Sequence, residues 1–260
     1  MKSIYWIICL VCTVAIVQTT NAQEVEATEG WVVWYDQNKT AWDGIPPTLG
    51  AKLDHFEARP SLHLHCVGIA PDGGWVAAYH SGNKATGSFN VSWDGPYKDF
   101  MQVLHNANEA RDNIKQIVFS PKYAWNHQAW TVLLNEHQGS WKDVPETLIL
   151  KIIELHKAEK EIKSIGITEN EGWIILAEKN EAHWENIPET LESSITKLQT
   201  QNADFTQISF NGIGGWVLIY NRNQAIWQGI SNSLIQKLGT LSEEGVELRG
   251  ISFYTVFGRL

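Results

Sequence analysis

The chain has 260 residues, 43% of them hydrophobic, and a formal net charge of −9. That length and apolar content exclude a disordered chain and suffice for one large core or two modest ones. The acidic balance excludes a broad phosphate-neutralising surface and a polybasic attachment to anionic lipid, so no nucleic-acid partner is expected.

The first 22 residues have the pattern of a signal peptide. Lys2 precedes an apolar stretch from Ile4 to Val17, and Thr20-Asn21-Ala22 offers small residues before a cut near Gln23. The stretch is short for a stable membrane span and nothing comparable follows it. The expected product is therefore secreted or periplasmic, with no stable span after cleavage. Cleavage removes Lys2, which takes the charge from −9 to −10, and removes Cys9 and Cys12. Cys66 is then the last cysteine and makes no intrachain disulfide. Residues 23–29 read as a short leader and 30–260 as a single repeat domain.

The first module runs Gly30-Trp31-Val32-Val33-Trp34-Tyr35 as a strand, Trp42 eleven residues after Trp31, then Ile45-Pro46 and a helix to about Glu57. Proline suits a first-turn helical position because its missing N–H costs nothing there. Strands over 62–70 and 75–79 flank the turn Pro71-Asp72-Gly73-Gly74 and predict a β-hairpin. A loop rich in Gly, Ser and Asn over 80–90 leads to Trp93 and a helix through about Asn108. Strands over 114–119 and 129–134 make the next hairpin, whose turn carries about five extra residues around Tyr123-Ala124-Trp125-Asn126-His127. Trp141 and Val144-Pro145 then open a helix to about Lys160. The same order recurs through Trp173, Trp184 and a helix to about Leu198, and through Trp216, Trp227 and a helix to about Leu241. A last strand covers 248–254.

The spacing identifies a repeat protein. Trp31, Trp75, Trp130, Trp173 and Trp216 are separated by 44, 55, 43 and 43 residues. Trp93 to Ile117, Trp141 to Ile165, Trp184 to Ile208 and Trp227 to Ile251 are each 24 apart. Helical stripes such as Leu148, Ile152 and Leu155, or Leu191, Ile195 and Leu198, need an apolar neighbour, and stacked units supply one. The chain opens with a lone second strand and closes with a lone first strand, which together make one hairpin. The expected fold is a closed, five-unit, propeller-like α/β ring. Each unit is a β-hairpin plus one outer helix, and pairing of the N- and C-terminal strands closes the ring; an open α/β solenoid is the alternative. Closure would also remove exposed strand edges.

Turns such as Pro71-Asp72-Gly73 and Ser120-Pro121 resemble those joining the central strands of WD-type propeller blades. The likeness ends at those turns, because Trp42-Asp43 and Trp93-Asp94 precede helices instead. The five-fold α/β arrangement resembles the guanidine-modifying penteins. That resemblance implies a central-channel site of Cys, His and acidic residues, and it is architectural alone.

The repeated tryptophans read as packing residues: Trp31, Trp75, Trp130, Trp173 and Trp216 beside the strand turns, and Trp42, Trp93, Trp141, Trp184 and Trp227 as plugs against the helix starts. Trp34 and Trp125 fall outside both sets and are candidates for exposed contacts. His63 and His65 share a strand face, but two ligands make no metal site, and Cys66 points the other way. Cys66 shares its repeat position with Gln116, Ser164, Gln207 and Gly250. As a channel nucleophile it would need a base and a lowered pKa. No zinc pattern, phosphate loop or cofactor motif appears. Asn38-Lys39-Thr40 and Asn90-Val91-Ser92 are glycosylation acceptors in a host with that machinery.

Irregular segments are where repeat proteins often bind. Tyr79, His80, Asn83, Tyr123, Trp125, Asn126 and His127 carry aromatic, imidazole and amide groups able to read a glycan or peptide. The functional expectation is an exported, non-catalytic binding or scaffold protein recognising a glycan, a cell-surface component or a protein. The alternative is a secreted hydrolase or guanidine-modifying enzyme working in the central channel.

Overall fold

The computed structural model describes residues 27–82, 88–95, 98–110, 112–121, 129–135 and 138–257. The segment read as a signal peptide, residues 1–22, lies outside them.

Among the described residues fifteen strands and five helices follow one another in a repeated order of strands and then one helix. Unit 1 holds β1 (Ala27–Tyr35), β2 (Lys39–Asp43) and α1 (Pro47–Glu57). Unit 2 is β3 (Leu62–Ile69), β4 (Trp75–Ser81), β5 (Ser88–Asp94) and α2 (Lys98–Ala110). Unit 3 is β6 (Ile114–Phe119), β7 (Trp130–Leu134), β8 (Gln138–Lys142) and α3 (Glu146–Lys157). Unit 4 is β9 (Ile162–Ile167), β10 (Trp173–Ala177), β11 (Glu181–Glu185) and α4 (Glu189–Thr200). Unit 5 is β12 (Phe205–Phe210), β13 (Trp216–Tyr220), β14 (Gln224–Gln228) and α5 (Asn232–Glu243), and β15 (Leu248–Phe257) completes unit 1.

Each unit is a three-stranded antiparallel sheet, not a bare hairpin. The segment expected to be a polar connection is a third, outer strand. The second tryptophan of every unit sits on it, so these residues stand within a strand and not in a linker ahead of the helix. β1 begins at Ala27, inside the segment read as a leader.

The ring is closed. β15 pairs with β1 from Ala27–Phe257 through Tyr35–Leu248 and supplies the inner strand that unit 1 lacks. Around the axis the inner strands are neighbours in the order β15, β3, β6, β9, β12 and back to β15.

The middle strands explain the core. Trp173 to Ala177 is buried at every position, because both faces of the strand are covered. Ile175 meets the group around α3, with Leu148, Ile152 and Leu155, while Ile174 and Leu176 meet α4 through Leu191, Ile195 and Leu198. Each helix therefore fills the wedge between one sheet and the next. Its buried residues recur at steps of four and three, the stripe a 3.6-residue period demands. Pro145 and Pro188 stand just before the first helical turn with ψ of 134°, and Ser231 takes that place in unit 5.

The first tryptophans are core residues, each 3–4% exposed. In three of them the indole N–H reaches across to the first turn of the preceding helix, whereas those of Trp130 and Trp216 make no such bond among the described residues. Trp75 donates to Thr48 Oγ1 at 2.9 Å, Trp173 to Thr147 Oγ1 at 2.9 Å, and Trp31 to Ser233 Oγ at 3.0 Å. Trp34, expected as an exposed contact, is 3% exposed. It faces Gly250, its partner in the β1–β15 ladder. A Cβ on Gly250 would lie 2.1 Å from Trp34 Cζ2, so the indole fills the space where other units carry a side chain.

Candidate functional site

The inner-strand position shared by Cys66, Gln116, Ser164, Gln207 and Gly250 joins neighbouring units. Gln116 accepts from the Ile165 backbone N–H at 2.7 Å and donates to its carbonyl at 3.1 Å. Gln207 makes the same exchange with Ile251, at 2.7 and 3.1 Å. Ser164 Oγ accepts from the Ile208 N–H at 3.2 Å. A side chain that satisfies the next strand's buried backbone must be polar or small, which accounts for the residue series.

Cys66 belongs to this series and is buried. Its Sγ lies 3.8 Å from the Ile114 carbonyl oxygen. Burial pushes its thiol up to about 12, against a weaker opposing pull from the Ala78 and Ile117 backbone. The lowered pKa and open access that a channel nucleophile needs are both missing at this buried thiol.

The axis is also filled. Ile69, Phe119, Ile167, Phe210 and Phe253 occupy equivalent ends of the inner strands, and the voids they line measure about 50 and 30 Å³. These are far below the volume of an ordinary ligand pocket. At the opposite end of the inner strands the sheets are tied by ion pairs, Lys115–Glu161 at 2.5 Å and Lys163–Asp204 at 2.6 Å. Arg249 contributes there through the Leu64 carbonyl at 3.3 Å. No group of three or more His, Cys, Asp or Glu converges on a metal-sized site among the described residues.

Of the residues singled out in the sequence, Tyr79 and His80 are described, whereas Asn83, Tyr123, Trp125, Asn126 and His127 lie outside the described residues. Tyr79 is half-buried and packs on Phe56, their ring centroids 4.7 Å apart, with Lys52 Nζ 5.5 Å from the Tyr79 ring. His80 pairs with His63 across the ladder, and its ring lies 4.5 Å from that of His65. The start of the 80–90 segment is itself ladder, because Tyr79–Asn90, His80–Phe89 and Ser81–Ser88 extend the β4–β5 pairing. Asn90 is thus a strand residue, with its side chain donating to Ser81 Oγ at 3.0 Å. The two irregular segments spring from opposite ends of their sheets. Tyr79 and His80 lie far along β4 from Trp75, whereas Phe119 and Trp130, which bracket 120–129, sit at the tryptophan end.

The open feature of unit 2 lies elsewhere, between its outer strand and its helix. Val91 and Trp93 of β5 face Met101, Gln102, Leu104, His105 and Asn108 of α2 across a groove of about 300 Å³. Trp93 is 52% exposed, the highest value in its repeated set. Trp42 at the same place in unit 1 lies against Gly50, where an added Cβ would come within 3.0 Å of its ring. Outer strand and helix are bolted together in other units. Glu57 accepts from Thr40 N and from Thr40 Oγ1 at 2.9 Å in unit 1, and Gln199 Nε2 donates to the Asn180 carbonyl at 3.1 Å in unit 4. Asn108 occupies the equivalent helical position and lines the groove instead. The signal for this was present in the sequence, since Ala107 stands where the other helices carry Phe56, Leu155, Leu198 and Leu241.

No protein-family model matches the chain, and neither does any curated protein sequence. Among solved structures the chain is similar to one described as the structure of the Dos1 propeller, with 11% identity and a TM-score of 0.29. The match covers 64% of this chain and 44% of the other, so the chain accounts for less than half the length of that protein. A likeness of this size carries nothing about partners or activity.

Proposed function

We propose that the protein is an exported, non-catalytic binding propeller that recognises a glycan, a cell-surface component or a protein through the rim of unit 2. The observation that carries this reading is the contrast between a packed axis and an open rim. The voids along the described inner strands measure only about 50 and 30 Å³, and the thiol of Cys66 beside them is buried. The outer edge of unit 2 offers a groove of about 300 Å³ beside an exposed indole. Propeller rims and loops are rigidly held surfaces, which suits recognition without chemistry.

No helix among the described residues is long and apolar enough to cross a membrane. Export rests on the pattern of the first 22 residues, and N-terminal sequencing of the secreted chain should begin at Gln23. Binding is tested by applying the labelled full-length mature chain to intact cells and to a purified glycan array. Saturable retention on either supports the reading. Its absence from both, with a cooperative melt showing a folded chain, overturns it.

A further inference from the structure

Trp93 is the only member of its repeated set with more than half of its surface open, and its surroundings are not those of a plain apolar face. The groove beside it has an aliphatic floor, Val91, Met101 and Leu104, and a polar wall, Gln102, His105 and Asn108. The wall residues fall at 102, 105 and 108, three-residue steps that put them along one side of α2. Gln102 Nε2 is engaged with Asn106 Oδ1 at 2.9 Å, and His105 Nε2 lies 3.2 Å from Glu109 Oε1. The Asn108 amide, by contrast, has taken up neither the outer-strand bond made by Glu57 nor the turn bond made by Gln199.

We infer that the β5–α2 groove is a carbohydrate subsite that holds one pyranose ring against the face of Trp93, with the Asn108 amide and His105 imidazole reading its hydroxyls. This rests on the proposed binding function and names its ligand class. A pyranose presents a face of C–H groups and an equatorial belt of hydroxyls. The C–H face matches the electron-rich face of an indole, which carries the negative end of the aromatic quadrupole. The hydroxyls need donors and acceptors together, and a side-chain amide supplies both. A purely apolar ligand would leave the Asn108 amide without a partner, since Gln102 and His105 are already engaged along the helix, and a strongly anionic one would meet Glu109 beside His105. A volume of about 300 Å³ is at the small end of ligand sites and fits a single sugar unit of a longer glycan.

The test compares the full-length mature chain with Trp93→Ala, Trp93→Phe and Asn108→Ala on an array of immobilised neutral oligosaccharides, with thermal melts confirming that each variant is folded. Trp93→Ala should weaken array binding about ten-fold or more, as truncation of an aromatic anchor does, Trp93→Phe should recover part of it, and Asn108→Ala should lie between. Array binding that survives Trp93→Ala unchanged overturns this subsite while leaving the binding reading intact. A wild-type chain that is retained on cells but by no array glycan, with retention indifferent to Trp93→Ala, also overturns it and points the binding function to a protein. Failure to bind cells or array removes both.

Discussion

Units 2 and 4 are built from the same plan and differ in how far that plan is completed. In unit 4 the outer strand is locked. Gln199 and Asn180 exchange hydrogen bonds between helix and turn, and Glu181 is held by Lys160 at 2.6 Å and by His183 at 2.6 Å. In unit 2 the outer two strands are longer by two ladder pairs, yet the helix beside them carries Ala107 as its last core contact and Asn108 where a tie would be. Completion gives stability, and incompletion leaves a surface with unused donors and an indole face. The lesson is that a regular repeat opens a groove where one unit omits the packing and the tie that others complete.

The largest effect should come from emptying the wedge in the completed unit. Ile195→Ala removes a fully buried side chain of α4 and should lower the unfolding free energy by about 2–5 kcal/mol in urea titration. Leu104→Ala in α2 should fall at the lower end of that range, because the groove already opens one side of it. Equal losses would break the comparison.

Gly172 immediately precedes the middle strand of unit 4, and a Cβ there would lie 1.9 Å from the Asn186 carbonyl oxygen. Gly172→Ala should cost about 1–3 kcal/mol through forced backbone movement, although unit 3 carries Ala129 at the equivalent place. Thermal unfolding measures it, and a neutral result would mean that the backbone around Asn186 gives way to the added methyl group at no cost.

Next in size are the paired tryptophans. Trp184→Ala should destabilise by about 2 kcal/mol as half-buried apolar area is lost, whereas Trp93→Ala should cost under about 1 kcal/mol. The pair separates a packing indole from one left for a ligand. A large stability loss at Trp93 would return it to the mortar.

The smallest effect is electrostatic. Burial raises the Glu181 pKa, but hydrogen bonds from Lys160 and His183 outweigh it and hold the carboxyl below its ordinary value of 4.5. The folded state thus favours the ionised form. The added stability is present above the unfolded-state pKa and fades as pH falls through the lower folded value. Because the group is substantially solvated, Glu181→Gln should cost only a few tenths of a kcal/mol near neutrality. The cost should shrink further in melts run below about pH 4, where the wild-type carboxyl is also losing its charge.

Much of the architecture was legible because it is written in spacing. The 43-residue register and the split hairpin foretold the ring, and steps of four and three foretold the helical faces. The outer strands were not legible. Lys39–Asp43 and Gln224–Gln228 are five residues long, half-exposed and polar, so alternation has little apolar material to work with. Their turns depend on left-handed residues such as Asp36 and Asn221, both with φ of 50°. Trp34 was misread because its partner is Gly250, more than two hundred residues away, and only closure brings the two together. Whether Cys66 borders a channel or packs against a neighbouring strand was not legible, because sequence cannot distinguish a channel-facing side chain from one turned to the adjacent strand. The groove was hidden for a related reason, since an unmade tie such as that of Asn108 shows only against completed ones.

The β1–β15 pairing also dictates an order of assembly. Units 2 to 5 can each form from contacts within about 40 to 55 residues, but unit 1 must wait for a strand more than two hundred residues away. The entropy of closing so long a loop grows only slowly with its length, so the obstacle is time more than energy. Until β15 arrives the molecule is an open arc, with the α5 stripe of Leu234, Leu238 and Leu241 lacking its β1 and β15 neighbours at one end and β1 short of its inner partner at the other. Those two ends complement each other in every copy. A crowded population of arcs can therefore exchange last strands and close as swapped pairs, and the single-chain ring is the outcome favoured when each chain finds its own first strand before meeting a neighbour.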